Sequence, residues 1–165
     1  MTIESTSPPF SALDRCFHLA YTVAYRLMRV YWAVRRPATR GALVALWCNG
    51  EILLVRNSYH GYFSLPGGYV QPGESGIEAA RRELKEEVGL DLPVERLSKT
   101  LHLHHVWEHK QEELEMYAVE CAQPPSLAID RREVILAEFF APDRALELNV
   151  FPPIRRHILE RLGAG

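Results

Sequence analysis

Cysteine is scarce and poorly spaced in this chain: Cys16, Cys48 and Cys121 are far apart, with no CxxC or Cys/His zinc spacing. An odd number so placed indicates neither a disulfide framework nor a structural zinc, so a reducing, cytoplasmic setting is expected. An uninterrupted apolar run is also missing. The stretch behind the polar, Pro-containing start (Met1 to Phe10) is broken by Asp14, Arg15, His18, Arg26 and Arg29, so neither a signal peptide nor a transmembrane segment is expected. There is no excess of one charge sign, because 19 Lys plus Arg face 21 Asp plus Glu for a net charge of −2. That balance argues against a protein that coats nucleic acid by charge, so no stable nucleic-acid binding is expected and any anion must be held locally. No internal repeat or low-complexity tract is present. With 165 residues, 47% of them hydrophobic, the chain suits one globular domain with a small appendage.

The appendage is suggested by charge and periodicity. Residues 1–40 carry six Arg against Glu4 and Asp14, a local balance of +4, which leaves −6 for residues 41–165. Between Leu13 and Val34 polar residues recur at steps of three and four, with Leu13, Phe17, Ala20, Tyr21, Ala24, Leu27, Met28 and Tyr31 covering the other side. This spacing predicts an amphipathic helix with a basic face, ended near Pro37. The predicted division is an N-terminal extension, 1–40, and a main domain, 41–165. So much apolar surface must pack on the core, on a second copy as a homodimer through this helix, or on lipid; core or dimer packing is favoured because the Arg are spread out and no lipidation signal is present.

From Gly41 the period changes. Ala42 to Cys48 and Glu51 to Arg56 read as strands joined by Asn49-Gly50, a dipeptide that tolerates a tight hairpin turn. Tyr59 to Gly73, rich in Gly, Pro and aromatics, reads as a loop. Ser75 and Glu78 have capping-box spacing and open a helix that Gly89 should end. Ser98 to Trp107 and Leu114 to Cys121 read as paired strands around a charged turn, Glu108 to Glu113. Val134 to Phe140 reads as a further strand and Ile154 to Leu162 as a terminal helix.

Within the helix after Ser75, Glu83, Glu86 and Glu87 stand at i, i+3 and i+4 and share one face. Like charges this close repel, so the arrangement makes most sense with cations between them, and oxygen-only ligands suit Mg²⁺ or Mn²⁺. Taken alone, three such glutamates more often mark a merely solvated face. The surrounding residues change that weighing. From Gly68 the sequence GYVQPGESGIEAARRELKEEVGL satisfies G-x5-E-x7-R-E-U-x-E-E-x-G-U, with U aliphatic. Seven fixed identities at roughly 6% each make a chance match rarer than about one in a million.

On those residues, Gly68 to Leu90, the chain resembles the Nudix hydrolases. The resemblance implies an α/β (α+β) fold, an α/β/α sandwich around a mixed β-sheet, here with an extra N-terminal amphipathic helix. It implies Mg²⁺- or Mn²⁺-dependent hydrolysis of a diphosphate linked to some group X. By position, Glu83, Glu86 and Glu87 would be metal ligands with the main-chain carbonyl of Gly67, and Arg82 would brace the carboxylates through Glu74 or a box glutamate. Related enzymes often carry a loop acid near the following strand, and Glu133 is the candidate, weighed evenly against a plain salt bridge; Glu112 and Glu113 are lesser candidates.

Other residues have weaker claims. Arg56 could hold a phosphate; Tyr62, Phe63 and Trp107 could frame a ring of the substrate. For each, an ordinary surface or core role is about as good a reading. His102, His104, His105 and His109 resemble a metal cluster, but alternation puts His102 and His104 on one face of a strand and His105 on the other, which disfavours zinc. The expected function is a metal-dependent pyrophosphohydrolase acting on a small phosphorylated substrate, a nucleoside diphosphate derivative or a nucleoside triphosphate. The alternatives are a nucleotide-binding sensor that does not cleave, disfavoured because no box glutamate is missing, and an RNA 5′-end pyrophosphohydrolase, disfavoured by charge. Group X stays open: His105 to Glu108, where the family carries substrate-class markers, holds neither the proline of ADP-ribose enzymes nor the tyrosine of diadenosine polyphosphate enzymes.

Overall fold

Strand β1 (Ala38–Cys48) is apolar on both faces from Gly41 onward, the pattern of a strand covered on two sides. A computed structural model describes residues 10–163, and the reading of residues 1–9 as a polar lead-in lies outside them. In it β1 is central to a six-stranded mixed sheet. It runs parallel to β5 (Lys110–Cys121) and antiparallel to β2 (Glu51–Asn57) and β3 (Gly67–Tyr69). Strand β4 (Ser98–Trp107) pairs β5 at one edge and β6 (Val134–Phe140) pairs β2 at the other.

Because side chains alternate along a strand, β1 feeds two cores. Ala42, Val44 and Leu46 pack with Ala79, Ala80, Leu84 and Val88 of helix α2 (Gly76–Val88). Leu43, Ala45 and Trp47 face the opposite layer, built by Ala145 of α3 (Pro142–Glu147) and by Ile154 and Ile158 of α4 (Pro152–Gly163). This is the α/β/α sandwich. Asn49 and Gly50 both adopt positive φ, 51° and 82°, as a tight hairpin requires.

Several boundaries differ from the pattern reading. Only Pro37 separates the N-terminal helix α1 (Ala12–Arg35), with its left-handed Arg36, from β1, so residues 38–40 belong to the sheet. The expected Glu108 to Glu113 turn narrows to Glu108 and His109, both at positive φ, and β5 starts at Lys110. Neither residue announces a two-residue turn as Asn-Gly does, so the charge run was the visible signal. The aromatic loop contains β3, too short and Gly-rich to show an alternating pattern.

Helix α1 starts on a capping box formed by Ser11 and Asp14 and lies along its own chain. The His18 ring meets the carbonyl of Arg131 at 2.8 Å, Tyr25 donates to Glu108 at 2.5 Å, and Arg29 pairs with Glu108 at 3.5 Å. Trp32 is buried beneath the Lys110 ammonium, 4.2 Å from the ring centre. These intrachain contacts give no support to a homodimer through α1. Its outer stripe, including Leu19, Leu27 and Val30, stays exposed. Among the described residues no helix is long and apolar enough to cross a membrane.

Candidate active site

Helix α2 is held at both ends by local chemistry, with Ser75 and Glu78 closing the capping box and Gly89 at φ 76° ending it. Its apolar stripe docks on the sheet, so its carboxylates project beside that contact in a gradient of burial. Glu87 is 5% exposed, and the side chain of Glu86 is 60% exposed. The side chain of Glu83, at 16%, lies between them. The Glu87 carboxylate accepts from the Gly67 amide at 2.9 Å and from the Asn57 side chain at 3.1 Å. Burial pushes Glu87 up to about 8, against the pull of those two donors, while Glu133 and Glu83 add repulsion. Glu83 is raised as well, by burial first, with Arg82 opposing.

Arg82 sits among the acids. It donates to Glu74 at 3.0 and 3.1 Å, to Glu83 at 2.6 Å, to Glu86 at 3.1 Å and to the Tyr69 carbonyl at 3.0 Å. Its hydrogen bond holds Glu74 below the usual carboxylate range. One guanidinium thus ties the loop before α2 to the helix and to β3. The backbone of β3 presses on the same acids. A Cβ on Gly68 would lie 2.5 Å from Oε1 of Glu83, and one on Gly67, at φ 155°, would collide with the Ala42 carbonyl. Only glycine lets this strand pass so close.

Glu133 arrives from the far side, just before β6. It accepts from the Tyr59 hydroxyl at 2.7 Å and from the Asn57 side chain at 3.3 Å. Asn57 therefore bridges Glu87 and Glu133. Burial, and then the charge of Glu133, raise the Tyr59 hydroxyl, which stays protonated and able to donate. Among the described residues no basic side chain is paired with Glu87 or Glu133. A nearly buried carboxylate, raised by that burial first and by its acidic neighbours after it, with no basic partner among the described residues, suits a hard divalent ion held by oxygen, so the donor set fits Mg²⁺ or Mn²⁺.

Pattern reading missed Asn57 and placed Tyr59 only at the start of the aromatic loop. Asn57 follows Arg56 in an apolar strand, where one amide carries no signature, and sheet pairing alone brings it to Glu87.

A cleft of about 340 Å³ adjoins the acids, lined by Gly68, Glu133, Tyr59, Tyr62 and Tyr69, by the α1 side chains Tyr21, Tyr25, Met28 and Trp32, and by residues of β1 and β5. Phe63, Arg56 and Trp107 are not among the residues lining it. Phe63 packs on Phe140, and Arg56 lies 6.0 Å from the Phe63 ring centre. Trp107 packs edge-on against Tyr62 and Phe151. Glu112 is buried with His105 at 2.8 Å and Lys110 at 3.6 Å, whereas Glu113 meets His102 at 2.9 Å and Arg40 at 3.4 Å. His102, His104 and Glu113 bring ligand atoms within 4.8 Å of one another on an open strand face. His105 leaves that group for Glu112, and His109 sits in the turn.

A model of the NUDIX domain matches residues 37–162. Over 88 residues the chain is 30% identical to the U8 snoRNA-decapping enzyme of Homalodisca vitripennis, covering 53% of this chain and 47% of that protein. Over 45 residues it is 49% identical to the ADP-ribose pyrophosphatase of Methanocaldococcus jannaschii, covering 26% of this chain and 27% of that one. The chain thus spans about half, or less, of these curated relatives. Among solved structures, the MutT protein from Methanosarcina mazei Go1 shares the fold with a TM-score of 0.66 at 22% identity, over 79% of this chain and 96% of that one.

Proposed function

We propose, from the premise that the chain belongs to the NUDIX domain family, that it is a Mg²⁺- or Mn²⁺-dependent pyrophosphohydrolase. Its substrate is a small nucleoside diphosphate derivative or a nucleoside triphosphate, cleaved by water at phosphorus. The observation that carries this reading is the meeting of buried Glu87 with Glu133 through Asn57, beside Glu83 and with no basic side chain paired to either acid among the described residues.

Glu83, Glu86 and Glu87, with the Gly67 backbone, would hold the ion, which supplies charge neutralisation for the diphosphate and a more acidic water. Glu133 takes a proton from the attacking water. Tyr59 and Asn57 aim its carboxylate, and Asn57 fixes its position relative to Glu87. Arg82 keeps Glu83 and Glu86 turned toward the site at the cost of their mutual repulsion. Among the described residues of the site none is arranged as a Ser-His-Asp or Cys-His nucleophile, so direct attack by water is the simpler route.

The complete box favours turnover over a sensor that only binds. One relative is named for decapping an RNA, but the −6 balance of residues 41–165 disfavours a long polyanion. Incubation with ADP-ribose, nucleoside triphosphates, dinucleoside polyphosphates and 5′-triphosphorylated RNA, each with Mg²⁺ or Mn²⁺, tests the reading. Metal-dependent release of a nucleoside monophosphate from a small substrate is expected. Faster turnover of the RNA would move the assignment to RNA ends, and no turnover of any compound would favour the sensor.

A further inference from the structure

Helix α1 is amphipathic in an inverted sense. The residues it turns toward its own chain are aromatic or polar: His18, Tyr25 and Trp32 make the contacts that place it, and Tyr21 and Met28 line the cleft. Its large aliphatic residues lie on the other side. Leu13, Leu19, Val23, Leu27, Val30 and Val34 are between 47% and 76% exposed. At about 100° per residue these six fall within an arc of roughly 120°, opposite the arc that carries His18, Tyr25 and Trp32. With 24 residues at about 1.5 Å each, the helix beneath this stripe is about 36 Å long. Single exposed leucines are ordinary, but a continuous aliphatic stripe of this length marks a contact surface.

The charges beside the stripe are of one sign. Spread along the sequence, the Arg gather on its borders in the folded helix: Arg15 and Arg26 on one side, Arg35 on the other, all exposed, with Arg36 at the C-terminal end. Among the described residues no carboxylate is paired with Arg26, Arg35 or Arg36. The one acid of the helix, Asp14, is committed to the capping box, where it accepts from the Ser11 amide at 2.8 Å. An apolar stripe bordered by unpaired guanidiniums complements a surface that is anionic outside and apolar just beneath, which describes an anionic lipid bilayer. A second copy is a poorer complement, because pressing two such faces together sets one basic border against another. The protein core lies on the opposite side of the helix and leaves the stripe uncovered. The −6 balance of residues 41–165 adds direction, since an anionic surface attracts α1 and repels the rest of the chain.

We infer that α1 is an interfacial helix that holds the protein reversibly on an anionic lipid bilayer, with Leu19, Leu27 and Val30 entering the acyl boundary and Arg15, Arg26 and Arg35 meeting lipid phosphates. The helix lies on the bilayer; among the described residues none is long and apolar enough to cross it. Apolar area and basic charge supply two signals together, so the contact needs no lipid modification.

Intact protein, without metal or substrate, is sedimented with vesicles of phosphatidylcholine alone and of phosphatidylcholine mixed with phosphatidylglycerol. Saturable binding to the mixed vesicles is expected, roughly a hundredfold tighter than to the neutral ones and weakened by salt. Leu27→Glu and Val30→Glu, each checked for folding by circular dichroism, should weaken it by about tenfold or more. Val106→Glu, the same change as Val30→Glu at a 72% exposed valine of β4, should leave binding nearly intact. Absence of saturable binding to the mixed vesicles, or an equal loss in Val106→Glu, would overturn the inference. So would a concentration-dependent dimer in light scattering that Leu27→Glu abolishes while vesicles are not bound, which would give the face to a second copy. Because no substrate takes part, failure of vesicle binding leaves the hydrolase reading standing, and failure of hydrolysis leaves the lipid contact standing.

Discussion

Helices α1 and α2 both open on a serine capping box and both end on a left-handed residue, Arg36 and Gly89. The 24-residue α1 buries only Trp32, whereas the 13-residue α2 buries Ala79, Ala80, Leu84 and Val88 completely. Burying Leu84 and Val88 contributes about 1.5–3 kcal/mol each, which offsets the few tenths of a kcal/mol per pair lost to glutamate repulsion. A helix anchored by the core can carry a costly constellation of charge. Helix α1 lacks that anchorage and is placed by polar and aromatic contacts at His18, Tyr25, Arg29 and Trp32. Chemistry falls to the first kind of helix, and shaping of the cleft to the second.

If that division holds, changes on α2 should act on turnover and changes on α1 on affinity and solubility. The largest effect is expected from Glu87→Gln, which removes a metal-binding charge at constant volume. Turnover should fall by about a thousandfold or more with the circular dichroism spectrum unchanged; near-normal metal-dependent hydrolysis would remove Glu87 from the site. Next comes Glu133→Gln, expected to lower kcat by about two orders of magnitude with little change in KM. A loss under about threefold would leave Glu133 a structural acid. Removing residues 1–36 should uncover the aromatic cleft and produce aggregation in light scattering, with a raised KM in whatever stays soluble. A soluble product with unchanged KM would contradict any role for α1.

The smallest effect concerns pH and the metal-free fold. Glu87 is raised from 4.5 to about 8, so the stability it leaves intact is fully present below about pH 4.5 and is lost as pH rises through about 8. His157 is buried, receives the Trp47 ring N–H at 3.3 Å and is lowered from 6.5 by burial. Its contribution runs the other way, present above pH 6.5 and lost as pH falls. Urea denaturation across this range should show Glu87→Gln flattening the alkaline decline and leaving the acid limb alone. An unchanged alkaline limb would contradict the burial argument.

The parts of the fold legible in the sequence are those encoded locally. The 3.6 period and the capping signals of α2, the Asn49-Gly50 turn and the alternation of β4 depend on neighbours a few residues apart. Glu83, Glu86 and Glu87 could be grouped for the same reason. Asn57 and Tyr59 belong to the site only because β2 pairs with β6 and the next loop turns back over Glu133, and no local pattern reports a meeting across 76 residues of chain. The placement of α1 was hidden similarly. Its amphipathic period announced that one face must be covered, while Glu108 and Lys110, which receive it, lie in a hairpin far along the chain.

The central claim, that the acids on α2 and before β6 direct water onto phosphorus, is tested most directly by hydrolysis in ¹⁸O-labelled water with product mass spectrometry. Wild-type protein with Mg²⁺ and a nucleotide diphosphate substrate should place one label on a product phosphate, and Glu87→Gln should place none above background. Label on a sugar carbon, or equal incorporation by the variant, would contradict the account.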